Sequence, residues 1–361
     1  MKRKNDNEKN QSSSFKHFTR RTIIVLACIF AVLIILCGVL IGAFFAMRTF
    51  GRLSMENRRE ENISGDYGYD ENVVHFDGRS YRYNSDLSVL LFIGVDRATR
   101  SGHTVDEDLG DKLSEGVSGA SQADVLLLLV VDEKNKKADV ISIDRNSMVY
   151  FESYDAEGNS IGSLESQIAF SYSYGDSKHK SCRMTMDAVS SFMYDIPIHA
   201  YYSMELRSIR HITDAVGGVK VTVPVDMTSV DASFEEGAEV VLSGTLAEKF
   251  LRARSELEDA SNAGRMSRHE MFLRSFFVSA VNAAKKDISV VPAIYNKIAK
   301  TSFTDITLDE AVYFADLAAD LDISFHSIKG TTLANGKYDE FRADQKALYG
   351  LVLDIFYICE D

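Results

Sequence analysis

Apolar residues in this chain fall in short unbroken runs in some places and at three-to-four-residue spacing in others, and the two patterns predict different elements. The runs Val89 to Val95, Val125 to Val131 and Ala138 to Ile143 are rich in Val, Ile and Leu and bounded by polar or turn residues, as buried strands are. Asp132-Glu133-Lys134-Asn135-Lys136-Lys137 is too short for a parallel crossover, so the second and third runs should pair as an antiparallel hairpin. Helical spacing is read from Ser163 to Tyr174, from Ser181 to Met193, from Glu205 to Val216 before Gly217-Gly218, from Leu242 to Arg254 and from Met266 to Val281. Pro197 to Met204, Val219 to Val223 and Ile323 to Ile328 read as further strands. Thr307-Leu308-Asp309-Glu310 is a capping box that opens a helix to Leu321, and Asp344 to Ile358 reads as a final amphipathic helix. Helices and strands alternate, so the fold class is α/β (α+β).

The N-terminal part follows other rules. Residues Thr22 to Met47 carry no charged side chain, and 26 residues of helix reach about 39 Å, enough to cross a bilayer core of roughly 30 Å. Residues 1–21 hold seven Lys and Arg against Asp6 and Glu8, which predicts a cytoplasmic basic tail and places the rest of the chain outside the cell membrane as a single-pass protein. Ala43-Phe44-Phe45-Ala46 is a poor leader-cleavage site. Residues 48–86 read as a charged stalk, a polar linker and a small hairpin turning at Asp77-Gly78, and residues 87–361 as one extracellular domain. The formal net charge is −13, and with +5 in the tail the remainder carries −18, so no nucleic-acid partner is expected. Outside the span only Cys182 and Cys359 remain, which is no disulfide framework.

Strand geometry then gathers charge. If the first strand pairs antiparallel with the second, Asp96 and Arg97 at its end fall beside Asp124, and the hairpin brings Arg145 to the same edge. Two carboxylates with arginines at one rim suit a divalent cation (Mg2+ or Mn2+) and a phosphate, because hard cations take carboxylate oxygens and Arg forks onto phosphate. Solvated strand ends are the plain alternative for each residue alone. Four further arginines, Arg252, Arg254, Arg265 and Arg268, cluster within 17 positions, and Arg265 and Arg268 stack on one helix face near its N-terminus. Ion pairing with Glu256, Glu258, Asp259 and Glu270 is the alternative to phosphate binding. The Ser- and Gly-rich stretch Ala98 to Ala123 reads as a loop over the rim.

Leu90-Leu91-Phe92-Ile93-Gly94-Val95-Asp96, Ala123-Asp124-Val125-Leu126-Leu127, Val140-Ile141-Ser142-Ile143-Asp144-Arg145, Asp214 to Val221, Leu251-Arg252-Ala253-Arg254 and Gly264-Arg265-Met266-Ser267-Arg268 occur in that order. Together they resemble the LytR-CpsA-Psr family of cell-wall polymer transferases of Gram-positive and related bacteria. The resemblance implies a mixed central sheet flanked by helices. It also implies transfer of a glycopolymer from an undecaprenyl-pyrophosphate carrier to peptidoglycan by a metal-dependent phosphotransferase at the membrane lipid. Asp96 and Asp124 would match the metal ligands, and Arg145, Arg252, Arg254, Arg265 and Arg268 the catalytic clamp, with Arg97 and Asn262 in contact with substrate. For the polyprenyl chain the resemblance offers Phe192, Met193, Phe272, Phe276 and Phe277, each of which core packing would also explain. The chain departs from the family at Asp144-Arg145-Asn146, where Pro-Arg-Asp is common, and at Asn262, where an acid often stands; Asp144 or Asp259 could substitute. His269 replaces the usual Gln. Hydrolysis of the lipid pyrophosphate, or its non-catalytic sensing, would use the same residues.

Overall fold

The computed structural model describes residues 39, 41–61, 73–96, 121–154, 159–253, 262–335 and 338–360. A helix, α1, covers 41–61. The hairpin β1 (Val74–Phe76) and β2 (Arg79–Tyr83) turns at Asp77-Gly78, where both residues have positive φ, 50° and 81°. That pair is what a two-residue turn of matching twist requires. Then come β3 (Ser88–Asp96), β4 (Gln122–Asp132) and β5 (Lys137–Ile143). The hairpin β6 (Met148–Tyr154) and β7 (Ser160–Gln167) leads through a 3₁₀ segment, Ile168–Tyr174, into α2 (His179–Phe192). Next are β8 (Ala200–Glu205), a 3₁₀ turn at Leu206–Ser208, α3 (Ile209–Ala215), β9 (Val219–Thr222) and β10 (Glu239–Leu242). The helices α4 (Gly244–Arg252), α5 (Asn262–Lys286) and α6 (Val290–Ile298) follow. The chain ends with β11 (Ser302–Thr304), α7 (Leu308–Ala318), β12 (Asp322–Ser327), β13 (Gly330–Asn335), β14 (Tyr338–Ala343), α8 (Gln345–Phe356) and β15 (Tyr357–Cys359).

Six strands form the central sheet in the order β11-β8-β3-β4-β5-β12. The β3–β4 and β4–β5 pairs are antiparallel, as expected, while β8 joins β3 and β12 joins β5 in parallel, so the sheet is mixed. Alternation assigns its faces. Val89, Leu91, Ile93 and Val95 of β3 and Leu126, Leu128 and Val130 of β4 enter one core with Val189 and Phe192 of α2 and Val352 and Phe356 of α8. Leu90 and Val131 face the other way with Ile306, and Phe314 and Leu317 of α7 pack there. A third cluster, around Phe234, Phe250 and Phe272, unites α3, α4, α5 and the β9–β10 hairpin. The capping box at Thr307 forms, with Glu310 N donating to Thr307 Oγ1 and Thr307 N to Glu310 Oε2.

Several elements differ from expectation. Ser163 to Tyr174 is not a helix. Leu164, Ile168 and Tyr172 recur every four residues, but the first part is β7, paired with β6 from Met148↔Gln167 to Tyr154↔Ser160, and only the remainder winds as 3₁₀. Leu242 belongs to β10, and the following helix starts at Gly244, capped by Ser243 Oγ accepting from Leu246 N. The strand expected at Pro197 starts at Ala200, and the helix expected from Glu205 is a 3₁₀ turn followed by α3. Tyr357 and Ile358 leave the last helix to pair with β2. Most of the apolar stretch Thr22–Met47 and of the loop Ala98–Ala123 lies outside the described residues, although Gln122 and Ala123 belong to β4. No described helix is long and apolar enough to cross a membrane.

Candidate active site at the sheet rim

The rim is shaped by a bulge. Gly94 pairs with Val125 and Val95 with Ala123, so Asp124 is an extra residue on β4. The bulge lets Ala123 and Leu126, three positions apart, both enter the same core. Gly94 permits it, because a Cβ there would lie 2.8 Å from Val125 Cβ. Asp124 is therefore an unpaired position inside the strand rather than a residue in front of it. Asp96, the last residue of β3, pairs in register with Gln122, two positions from Asp124.

Arg145 reaches this bulge from β5. Past Ile143 the chain makes a tight turn in which Ser147 N donates to Asp144 O (2.9 Å) and Asn146 N to Asp144 Oδ1 (2.8 Å). Neighbouring backbone pins the turn: Ala169 N donates to Arg145 O (3.1 Å), Ile168 N to Ser147 O (2.8 Å) and Phe341 N to Asn146 O (2.9 Å). Arg145 then forks, with Nη1 donating to Asp124 Oδ1 and Nη2 to Gln122 Oε1. The Arg145 and Asp124 side chains are only 14% and 16% exposed, and the buried Nε of Arg145 has no acceptor among the described residues. Burial pushes the Asp144 carboxyl above the usual carboxylate range, against the Asn146 N–H and the Arg145 charge, which pull it down. Gln122 was not foreseen. Its place beside an expected strand end was the available signal.

The second arginine cluster connects to the same rim through α5. Ser327 Oγ donates to Glu270 Oε2 (3.3 Å), and Ser327 pairs in register with Ser142 of β5, which brings the first turns of α5 to the end of the strand that leads into Arg145. Arg268, 2% exposed, donates from Nη2 to Ala253 O (2.6 Å), and His269 Nε2 lies 3.1 Å from Leu251 O. The segment after α4 and the start of α5 are thereby joined. Arg252, in the last turn of α4, is 43% exposed and lies 3.3 Å from Glu248. Asn262 and Arg265 stand in the first turn of α5. Arg97, Arg254 and Asp259 lie outside the described residues.

The aromatic residues do not share one cluster. Phe192 and Met193 belong to the core between sheet and α2. Phe272 stacks on Phe276 at 6.0 Å in the third cluster, and Phe277 meets Phe325 edge-on at 6.3 Å, with Arg274 4.3 Å over the same Phe325 ring.

The described residues include no group of three or more His, Cys, Asp or Glu able to hold a metal among themselves. The donor chemistry nonetheless fits Mg2+, which is held by one or two carboxylates together with substrate phosphate oxygens and water.

Known proteins share this arrangement of elements. The crystal structure of Bacillus subtilis TagV matches with a TM-score of 0.56 at 23% identity, over 75% of this chain and 96% of that one. A structure of TagT bound to LIIa-WTA matches with a TM-score of 0.54 at 16% identity, over 75% of this chain and 89% of that one. In sequence, the polyisoprenyl-teichoic acid–peptidoglycan teichoic acid transferase TagU of Bacillus subtilis is 26% identical over 257 residues, covering 70% of this chain and 74% of that protein. The LytR_cpsA_psr family model matches residues 53–351, and the chain belongs to that family.

Proposed function

We propose that this protein transfers a glycopolymer from a polyprenyl-pyrophosphate carrier to peptidoglycan. The observation that carries the reading is the Asp124–Arg145–Gln122 cluster in the bulge, with the arginine-bearing start of α5 at the same rim. Support comes from the relative TagU, whose name describes transfer of teichoic acid to peptidoglycan. The acceptor hydroxyl attacks the glycan-bearing phosphorus, the bond to the carrier's phosphate breaks, and polyprenyl monophosphate leaves. Such a reaction needs charge neutralisation and alignment more than covalent help. Arg145, pinned by its turn, would grip the phosphoryl oxygens, with Arg252, Arg254 and Arg265 completing the clamp. Arg268 would hold α5 against the segment after α4. Asp96 and Asp124 would hold Mg2+ or Mn2+, which supplies charge neutralisation at the pyrophosphate. Residues 22–47 would span the membrane with the basic tail in the cytoplasm.

The test is incubation of the full chain in detergent with a polyprenyl-pyrophosphate glycan, peptidoglycan fragments and Mg2+, followed by product analysis. Glycan joined to peptidoglycan, lost on EDTA treatment and restored by Mg2+, is the expected result. Glycan phosphate released to water alone indicates a hydrolase, and binding without turnover a sensor; either refutes the transferase reading. Protease added to intact cells should digest the part of the chain beyond α1 and spare an N-terminal tag.

A further inference from the structure

The helix α1 is a docked element rather than a free stalk. Phe44, Met47, Arg48, Gly51, Ser54, Met55 and Arg58 recur at helical spacing and are less exposed than the Phe45, Phe50 and Leu53 side of the helix, with Met55 fully buried. At Gly51 the helix touches α7 so closely that a Cβ would fall 2.1 Å from Asp309 O. Arg58 Nε donates to Glu310 Oε1 (2.9 Å), a fully buried carboxylate that also receives Ser54 Oγ (2.6 Å), and Arg58 Nη1 lies 3.4 Å from Asp305.

The contacts also set a direction. Along α1, Arg48 pairs with Asp316, Arg52 lies 3.9 Å from Glu133 in the β4–β5 turn, Arg59 donates to Ser88 Oγ (3.0 Å) at the start of β3, and Arg58 donates to His199 O just before β8. From Arg52 to Arg58 and Arg59 the helix rises about 10 Å, and from β4 across β3 to β8 is two strand spacings, also about 10 Å. The helix therefore crosses the strands close to a right angle, at the sheet edge opposite the candidate site. Its N-terminal end lies on the β5 and β12 side, where Lys136 meets Asp320 at 3.8 Å.

We infer that α1 is a rigid strut that lays the strands parallel to the bilayer, with the β12 edge of the sheet facing lipid and the β11 edge facing away. The inference rests on the proposed membrane span: residues 22–47 would cross the bilayer, and the first contact of α1 with the domain, Arg48 with Asp316, follows directly after them. Its consequence is positional. Arg52 stands about 8 Å beyond Met47, and β4 lies at that level, so the Asp124–Arg145 rim is held near headgroup height, displaced sideways along β4. A lipid-linked pyrophosphate could then enter without leaving the bilayer.

The test is energy transfer from a single dye to headgroup acceptors in nanodiscs, with the full-length chain in a background lacking Cys28, Cys37 and Cys359. One dye is carried by Asp320→Cys beside β12, the other by Lys300→Cys beside β11; the two edges are five strand spacings, about 24 Å, apart. Transfer efficiency should be at least about twofold higher from position 320. Seven helical residues inserted between Met47 and Arg48 should lower both efficiencies by lifting the domain about 10 Å. Equal or reversed efficiencies, or no response to the insertion, overturn the strut while leaving the span intact. A chain that does not assemble into nanodiscs refutes the span, and the strut falls with it.

Discussion

Replacing Asp124 by Asn tests whether the bulge is held by the charge pair it displays. Asparagine keeps the shape and one acceptor but leaves the Arg145 guanidinium, 14% exposed, beside a neutral partner. Removing one member of a fully buried pair costs about 3–5 kcal/mol, and of an exposed pair about 0–1 kcal/mol. This pair lies toward the buried end, and Gln122 still accepts from Arg145, so a loss of about 2–3 kcal/mol follows. For a domain of this size that is a fall in melting temperature of about 4–10 °C. Thermal melts of Asp124→Asn, Arg145→Gln and the double variant form the assay. The double variant should lose at least about 1 kcal/mol less than the two single losses combined, because its members touch. Turnover should vanish in all three. An Asp124→Asn protein that melts within about a degree of the parent, in an additive cycle, would show that the pair does not hold the rim.

Three other outcomes follow from particular contacts. His199 is buried and accepts from Val89 N at 3.0 Å, and burial together with Arg59 and Arg58 lowers its pKa to about 4. Its native form stays neutral while the unfolded form protonates, so stability is unaffected above pH 6.5 and falls by about 3 kcal/mol as pH drops to about 4. Denaturant titrations across that range should show this slope, and His199→Asn should flatten it. Gly94→Ala should cost about 1–3 kcal/mol by forcing Val125 away, read as a lower denaturation midpoint with reduced turnover. Arg145→Lys keeps the charge and loses the fork, and should lower turnover at least tenfold, about 1.4 kcal/mol, with a smaller loss of stability than Arg145→Gln; equal turnover would remove Arg145 from the phosphate clamp.

The three central strands were legible because each is a dense apolar run and the β4–β5 connection is too short for anything but a hairpin. The bulge was not, since an extra residue shows itself only when two strands are laid in register. β7 reads as helix in sequence because Leu164, Ile168 and Tyr172 imitate a helical stripe until β6 is available to pair. The β13–β14 hairpin offers few apolar positions to reveal it, yet its Phe341 N–H pins the turn that carries Arg145.

Charged residues were harder to read than apolar ones, because sequence gives their sign but not their partner. Arg48 to Glu61 reads as a charged stalk, yet Arg58 meets a buried Glu310 that is 252 positions away. Arg265 and Arg268 share a helix face by spacing alone, and both suggested phosphate. Burial separates out Arg268: a guanidinium 2% exposed that donates to Ala253 O already spends a donor on the fold. Arg268→Lys should therefore act first through stability, about 1–3 kcal/mol for a charged hydrogen bond left unmade. Arg145→Lys should act first through turnover. If melts and rates instead show the reverse order, Arg268 is the phosphate ligand and Arg145 the strut of the rim.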